Sequence, residues 1–446
     1  MPKKDYYTAN YRPPGFLDGS AGAVLFYVGY FVAILLPVLF AFILFGDFSD
    51  GAVLVIGKAF ALTAFAIFSM QVVLGSRLKT LDRALGLDKI LRFHKLMAII
   101  GTSMIILHPL LVMIGHDDFS ILGFRSSLPI IAGEIGLLFL PGGVAAALFR
   151  SKLKLDYNVW HLFHKGMIVV IIIGFYHSTS VGSDIYGGMK SFWWVVFATA
   201  ITVFLFRNIV FPIFVRRRYE ILSVDAETHD TYTIRMKPAN GKLPRYRPGQ
   251  FMFLKLKRKK GKSEEHPFTI SSSPTLDGEI TATIKESGNF TDTIGETTVE
   301  DSARIAAPYG KFSFIYDEPA RFLFIAGGVG ITPIMSMIRF LRDTGDGRPV
   351  KLLFANKSEK DILFRDEISV LPENFAHVHV LSRPDESWTG RTGYIDEKIL
   401  RQDAGEYLDD CTIYLCGPKP MMTAVEKEIE KTGYRGEVRT EKFSLD

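Results

Sequence analysis

The chain has 446 residues, 48% hydrophobic and 22% charged, enough for two or three domains. Its net charge of +5 is small and lies mostly in loops beside apolar runs, a pattern of membrane topology that gives no support to nucleic-acid binding. The two cysteines, Cys411 and Cys416, are five residues apart, so they exclude a disulfide framework, make a poor metal site and suit a reducing compartment.

Lys3, Lys4 and Arg12 precede a first apolar run too long for a cleavable signal peptide. A helix crossing a bilayer needs about 20 apolar residues. Six segments meet that condition, at about 21–45, 51–74, 90–114, 128–149, 159–180 and 191–215. The loops on one side carry fourteen basic residues: Lys3, Lys4, Arg12, Arg77, Lys79, Arg83, Lys89, Arg92, Arg150, Lys152, Lys154, Arg216, Arg217 and Arg218. The other side offers Arg125 and Lys190. The positive-inside rule therefore puts both termini and everything after residue 215 in the cytoplasm, and the plasma membrane is the expected location.

Ionisable groups inside spans are costly and usually functional. The third span carries His94 and, fourteen residues on, His108; the fifth carries His164 and, thirteen residues on, His177. Both spans run the same way, so the four imidazoles fall at two matched depths, about 20 Å apart at 1.5 Å per residue. That spacing suits two stacked haems, His94 pairing with His164 at the inner one and His108 with His177 at the outer one. Fourteen residues return nearly to the same helix face, whereas thirteen miss it by over a third of a turn. Helix crossing or a local bulge in the fifth span has to absorb the difference. His161, one turn before His164, is a rival for the inner position, and His116 reads as a solvated loop residue.

Other polar groups near the spans have two readings. Lys58 suits an outer haem propionate or an anion, but equally a side chain snorkelling to the interface. Glu134 suits proton movement or a buried structural hydrogen bond. Arg92 and Lys95 flank His94 and either hold inner propionates or mark the membrane boundary.

From Tyr219 onward short β-rich segments alternate with turns, as in GQFMFLKLK, HPFTISSSP and EITATIKES, which predicts a small antiparallel barrel. After Pro319 the pattern becomes strand–helix alternation, predicting a parallel sheet with covering helices. Gly327-Gly328-Val329-Gly330 follows a strand and opens a helix, so its backbone N–H groups can approach a pyrophosphate. The expected divisions are a cytoplasmic segment 1–20, a six-helix haem-binding domain 21–215, an antiparallel β-barrel domain 216–317 and an α/β dinucleotide-binding domain 318–446.

In their order, YRPGQF, HPFTISSSP, GGVGITP and LCGPKPMM resemble the ferredoxin-reductase-type FAD and NAD(P)H module. Joined to six spans with paired histidines, the chain resembles the ferric reductase and NADPH oxidase superfamily. The resemblance implies that His266, Pro267, Phe268, Thr269, Ile270 and Ser271 bind FAD, the Thr269 hydroxyl reaching the flavin ring. Gly288-Asn289-Phe290-Thr291 resembles the second flavin segment, with Gly288 and Thr291 as its binding residues. Gly327, Gly328, Gly330 and Thr332 are implied to cradle the dinucleotide phosphates. Cys416, Gly417 and Pro418 are implied to lie beside the nicotinamide, and Phe443 to cover the flavin ring. Lys357, after the second strand of the α/β domain, or Lys360 near it, would pair with a 2′-phosphate. No acidic residue ends that strand to demand NADH, so NADPH is expected, with NADH possible.

The implied activity is electron transfer from cytosolic NAD(P)H through FAD and two b-type haems to a small external acceptor, foremost dioxygen giving superoxide. The alternatives are a ferric or metal-chelate reductase and an electron-supplying partner of an extracytoplasmic protein or quinone. The oxidase branch often carries a histidine one turn beyond the outer ligand of the third span; Val112 stands there in this chain. No calcium-binding loop or proline-rich segment is apparent, so no regulatory partner is expected.

Overall fold

A computed structural model of the chain describes residues 19–44, 51–119, 127–150, 152–214, 216–241, 243–259, 263–288, 290–316 and 319–441. Lys3, Lys4, Arg12, Arg125, Asn289 and Phe443 lie outside the described residues. Among those described, the chain divides into two compact units, 19–214 and 216–441.

The first unit is helical. Among the described residues six helices are long and apolar enough to cross a membrane: Ser20–Phe42, Ala52–Gly75, Leu87–His116, Leu128–Leu148, Tyr157–Val181 and Gly187–Ile213. Their apolar surface is largely left outward, with Val24, Leu25, Leu138, Leu162 and Phe163 all more than half exposed. That is the expected arrangement where lipid replaces water. The second and third spans pack closely and antiparallel at small residues: a side chain at Gly101 would meet Ile67 and Phe68, and one at Gly115 would meet Leu54. Small residues at such contacts let helix backbones approach.

The fifth span is not one regular helix. It runs Tyr157–Gly166, tightens at Met167 and resumes over Ile168–Val181. There the Met167 N–H donates to the His164 carbonyl (3.2 Å) and the Val170 N–H to the Met167 carbonyl (3.1 Å), both three residues back. Each residue in such a turn rotates about 120°, against about 100° in an α-helix. This overwinding lies between His164 and His177 and rotates His177 back toward the face that His164 occupies.

The second unit begins with β1 (Arg217–Thr228), β2 (Thr231–Pro238), β3 (Phe251–Lys257), β4 (Glu265–Thr269), β5 (Ile280–Lys285) and β6 (Ser302–Tyr309). They form an antiparallel sheet in the order β4-β3-β6-β1-β2-β5. The segment after β4 joins the two ends: the Ile270 N–H donates to the Gln250 carbonyl and the Ser271 N–H to the Thr281 carbonyl on β5. The result is a half-barrel around Tyr219, Ile234, Met252, Leu254 and Ile280.

The remaining strands are β7 (Arg321–Gly327), β8 (Val350–Asn356), β9 (Phe375–Leu381), β10 (Arg391–Thr392), β11 (Cys411–Cys416) and β12 (Val438–Glu441). They are all parallel, in the order β10-β9-β8-β7-β11-β12. Strand order reverses between β7 and β11, and the crevice at the carboxyl ends of such strands is where α/β sheets bind ligands.

Candidate functional site

Within the helical unit two of the four histidines face each other. The His94 and His164 rings lie with centres 6.1 Å apart, inclined at 60°. Two imidazoles holding one metal from opposite sides, with bonds of about 2 Å and ring centres about 1 Å behind each nitrogen, put the centres about 6 Å apart. His164 stacks on Trp160 (5.2 Å). His161 instead stacks on Tyr157 (5.4 Å).

At the second level the His108 Nδ1 lies 2.9 Å from the Gly57 carbonyl, and the His177 Nδ1 lies 2.8 Å from the Pro129 carbonyl. A carbonyl can only accept, so Nδ1 carries the proton in each ring and Nε2 keeps its lone pair. Ligating histidines are oriented by this kind of second bond. Gly133 makes room for the His177 ring, since a Cβ there would stand 2.6 Å from Nδ1.

At the first level the second span also lies beside the histidine of the third. Gln71, fourteen residues after Gly57, has its backbone beside the buried Nδ1 of His94, though outside hydrogen-bond geometry. Gly75, one turn on, faces the same ring, with a would-be Cβ 3.9 Å from Cε1. The residues therefore fit two bis-imidazole irons. Lys58 is held by Ser183 (2.7 Å) and Asp184 (3.3 Å), and Arg92 by Asp88 (2.6 Å). Glu134 is buried.

In the second unit, β4 and the turn before β6 bring together the two segments implied to hold flavin. His266 stacks on Phe290 with ring centres 4.6 Å apart, and its Nε2 lies 2.9 Å from Glu264. Phe268 flanks the same ring at 6.4 Å, and the Arg258 guanidinium lies over it at 5.2 Å. Pro267 pairs with Phe253 on β3. The Thr291 hydroxyl ties its own turn together: it accepts from the Ser287 N–H and donates to the Gly288 carbonyl. Thr269 is buried, and its hydroxyl makes no hydrogen bond among the described residues. The Ser271 hydroxyl is fully buried, between Thr281 (2.8 Å) and Thr283 (3.0 Å), where it closes the barrel.

The glycine turn after β7 and the turn after β11 meet at the strand-order reversal. A Cβ on Gly330 would collide with the Cys416 carbonyl and stand 2.7 Å from the Gly417 Cα, and one on Gly327 would stand 3.2 Å from Pro418. Gly328 has φ +50°, a left-handed conformation that favours glycine. Thr332 is buried, its hydroxyl turned back to the Val329 carbonyl (3.0 Å). Cys416 is fully buried, and burial, with Glu441 beside it, pushes its thiol well above the ordinary value. Lys357 is exposed, just past the carboxyl end of β8.

Several residues here carry no sequence signal. Arg339 donates to the Ser271 carbonyl (2.6 Å), and Ser336 donates to the Ser272 carbonyl (2.7 Å), linking the helix Ile331–Asp343 to the barrel. Arg339 also grips Glu367 (2.5 Å) and lies 4.6 Å over the Phe364 ring. Burial works against the Glu367 charge, but Arg339 and Arg342 overcome it and hold the carboxyl below its ordinary value. The Asn356 amide, at the end of β8, is buried with neither atom bonded among the described residues.

Three family models match consecutive stretches: a ferric reductase like transmembrane component over residues 60–175, an FAD-binding domain over 217–323 and an oxidoreductase NAD-binding domain over 324–427. The chain is thus similar to ferric reductases in its membrane part and to FAD- and NAD-binding oxidoreductases in the rest. The first match covers His94, His108 and His164 and ends two residues before His177. Among curated proteins the chain is similar to NADH-cytochrome b5 reductase 1 of Pyricularia oryzae, 32% identical over 185 residues, covering 39% of this chain and 60% of that protein. It is also similar to the glycine betaine monooxygenase reductase subunit of Chromohalobacter salexigens, 32% identical over 230 residues, covering 49% and 61%. The chain thus spans about three-fifths of the length of the curated relatives it matches. Among solved structures, the cytochrome b5 reductase domain of Ulva prolifera nitrate reductase is 24% identical with a TM-score of 0.45, over 51% of this chain and 97% of that one.

Proposed function

We propose that this chain passes electrons from cytosolic NAD(P)H, through FAD and two bis-histidine b haems, to an acceptor on the far side of the plasma membrane, foremost dioxygen giving superoxide. The observation that carries the reading is the 6.1 Å separation of the His94 and His164 rings, with His108 and His177 turned by carbonyls at the second level. Bound FAD would accept a hydride and release single electrons, and the haems would relay them across the bilayer.

The chain's own residues bind and orient. Gly327, Gly328 and Gly330 bring backbone N–H groups to the dinucleotide phosphates, with Thr332 keeping the turn in shape. Cys416, Gly417 and Pro418 form the small-residue wall beside the nicotinamide, and a neutral thiol there adds bulk without charge. Thr269 offers its free hydroxyl to the flavin ring, while His266, Pro267, Phe268, Ile270, Ser271, Gly288 and Thr291 shape the flavin pocket. Phe443 would cover the ring, and Lys357 would meet a 2′-phosphate. Both termini lie in the cytoplasm on this reading, with the divisions at 20, 215 and 317.

A second acceptor is favoured by one observation: Val112 stands where the oxidase branch often has a histidine, so a ferric chelate is the alternative. The two are separated by following NADPH oxidation with oxygen or ferric citrate supplied singly. Cytochrome c reduction sensitive to superoxide dismutase supports the oxidase. Ferric reduction indifferent to oxygen replaces it with the metalloreductase.

A further inference from the structure

Three adjacent strands of the half-barrel place a row of cations side by side. The register pairs Lys255 on β3 with Arg304 on β6, and Arg304 with Arg218 on β1. Directly opposed side chains on neighbouring antiparallel strands have Cβ atoms about 5 Å apart, and like charges in that relation destabilise a sheet. Their inward neighbours are core residues: Leu254 and Leu256, Ala303 and Ile305, and Tyr219. All three cations therefore share the outer face, Arg218 exposed and the other two half-exposed.

The nearby acids are engaged elsewhere. Glu265 lies opposite Lys255 but forms an ion pair with Arg216 at 2.5 Å. Glu220, two residues from Arg218, pairs with Lys237 at 3.2 Å. The side chains of Lys255, Arg304 and Arg218 have no hydrogen bond or ion pair among the described residues. Lys257 extends the same face with a further exposed charge.

A repulsive row retained without internal neutralisation calls for an external anion. Chain connectivity narrows which one. Arg218 follows Ile213, the last residue of the sixth candidate span, by five residues, and an extended chain covers at most about 3.5 Å per residue. Arg218 is thus tethered within about 20 Å of a bilayer, with Arg304 and Lys255 one and two strands beyond it, and the inner leaflet carries anionic lipid whose field extends about 10 Å. We propose that the Lys255–Arg304–Arg218 row is a docking surface for the headgroups of anionic phospholipids.

The test uses the full chain in nanodiscs containing headgroup-tethered photoreactive phosphatidylserine or, separately, the matching phosphatidylcholine probe. Cross-linked peptides are mapped by mass spectrometry. The serine probe is expected to label the outer faces of β1, β3 and β6 at least five-fold more than the choline probe, since one basic side chain near an anionic surface is worth about that factor. K255Q/R304Q should reduce the labelling by about twenty-five-fold, while K255R/R304K should retain it. NAD(P)H-driven dye reduction serves as the folding control for both variants. Equal labelling by the two probes, labelling confined to the spans, or labelling unchanged in K255Q/R304Q overturns the proposal; a row that binds an acidic protein instead would give the first of these.

Discussion

The imidazole Nδ1 of His108 and the main-chain oxygen of Gly57 are 2.9 Å apart, and the residues fourteen positions along each helix in opposite directions, His94 and Gln71, face each other as well. The second span thus presents a backbone carbonyl to His108 and lies beside His94. The fourth span serves His177 through Pro129 and leaves Gly133 as the space for its ring.

Gly133→Ala should therefore act on a haem without touching the flavin module. Its new methyl would stand 2.6 Å from the His177 Nδ1, and displacing a ligand's orienting bond costs about 10- to 100-fold in metal affinity. Haem per chain, measured as the pyridine haemochrome, should fall from two toward one while NAD(P)H–dye reduction holds. An unchanged ratio would dissociate Gly133 from the outer site.

Gly330→Val should damage the nucleotide side. The backbone of Cys416 and Gly417 occupies the space that its side chain needs, and forcing bulk into packed structure costs about 1–3 kcal/mol. A raised KM for NADPH with the FAD still bound is expected from steady-state dye reduction. Normal kinetics would remove the glycine turn from the dinucleotide site.

Much of this was legible in the chain itself. Apolar runs fix the six spans because lipid demands some twenty apolar residues per helix, and His94, His108, His164 and His177 stood out because charge-capable groups rarely occur there. His161 and His164 could not be separated by spacing, being one turn apart. Of the two, it is the His164 ring that faces the ring of His94. The thirteen-residue spacing asks for helix crossing or a local bulge but does not locate the tightened turn at Met167, whose site depends on packing. Arg339 was invisible for another reason: its partners Ser271 and Glu367 lie 68 and 28 residues away, and no local pattern reports such a contact.

Arg339→Met should loosen the link between the barrel and the nucleotide sheet. It removes the donor to the Ser271 carbonyl and one of the two guanidiniums holding Glu367. Leaving a buried partner unpaired costs about 1–3 kcal/mol. A melting temperature lowered by several degrees and faster release of FAD on dilution are expected; Arg339→Lys should restore only part, since it cannot reproduce the forked contact.

Acid should weaken the nucleotide sheet through His379. Burial first, then the nearby His377 and Arg365, lower its pKa to about 4, against about 6.5 in an unfolded chain. The unfolded state therefore binds the extra proton between those values, so stability is full above about pH 6.5 and declines as pH falls toward 4. In His379→Phe the loss of melting temperature across that window should be smaller. An identical slope would assign it to other groups, Glu367 among them.

The most direct measurement is the absorption spectrum of the purified chain reduced with dithionite, beside those of His94→Leu and His108→Leu. Two b-type haems per wild-type chain are predicted, with one lost in each variant and NAD(P)H–dye reduction preserved in both. A wild-type spectrum without haem bands, or pigment unchanged by both substitutions, would contradict the transmembrane path.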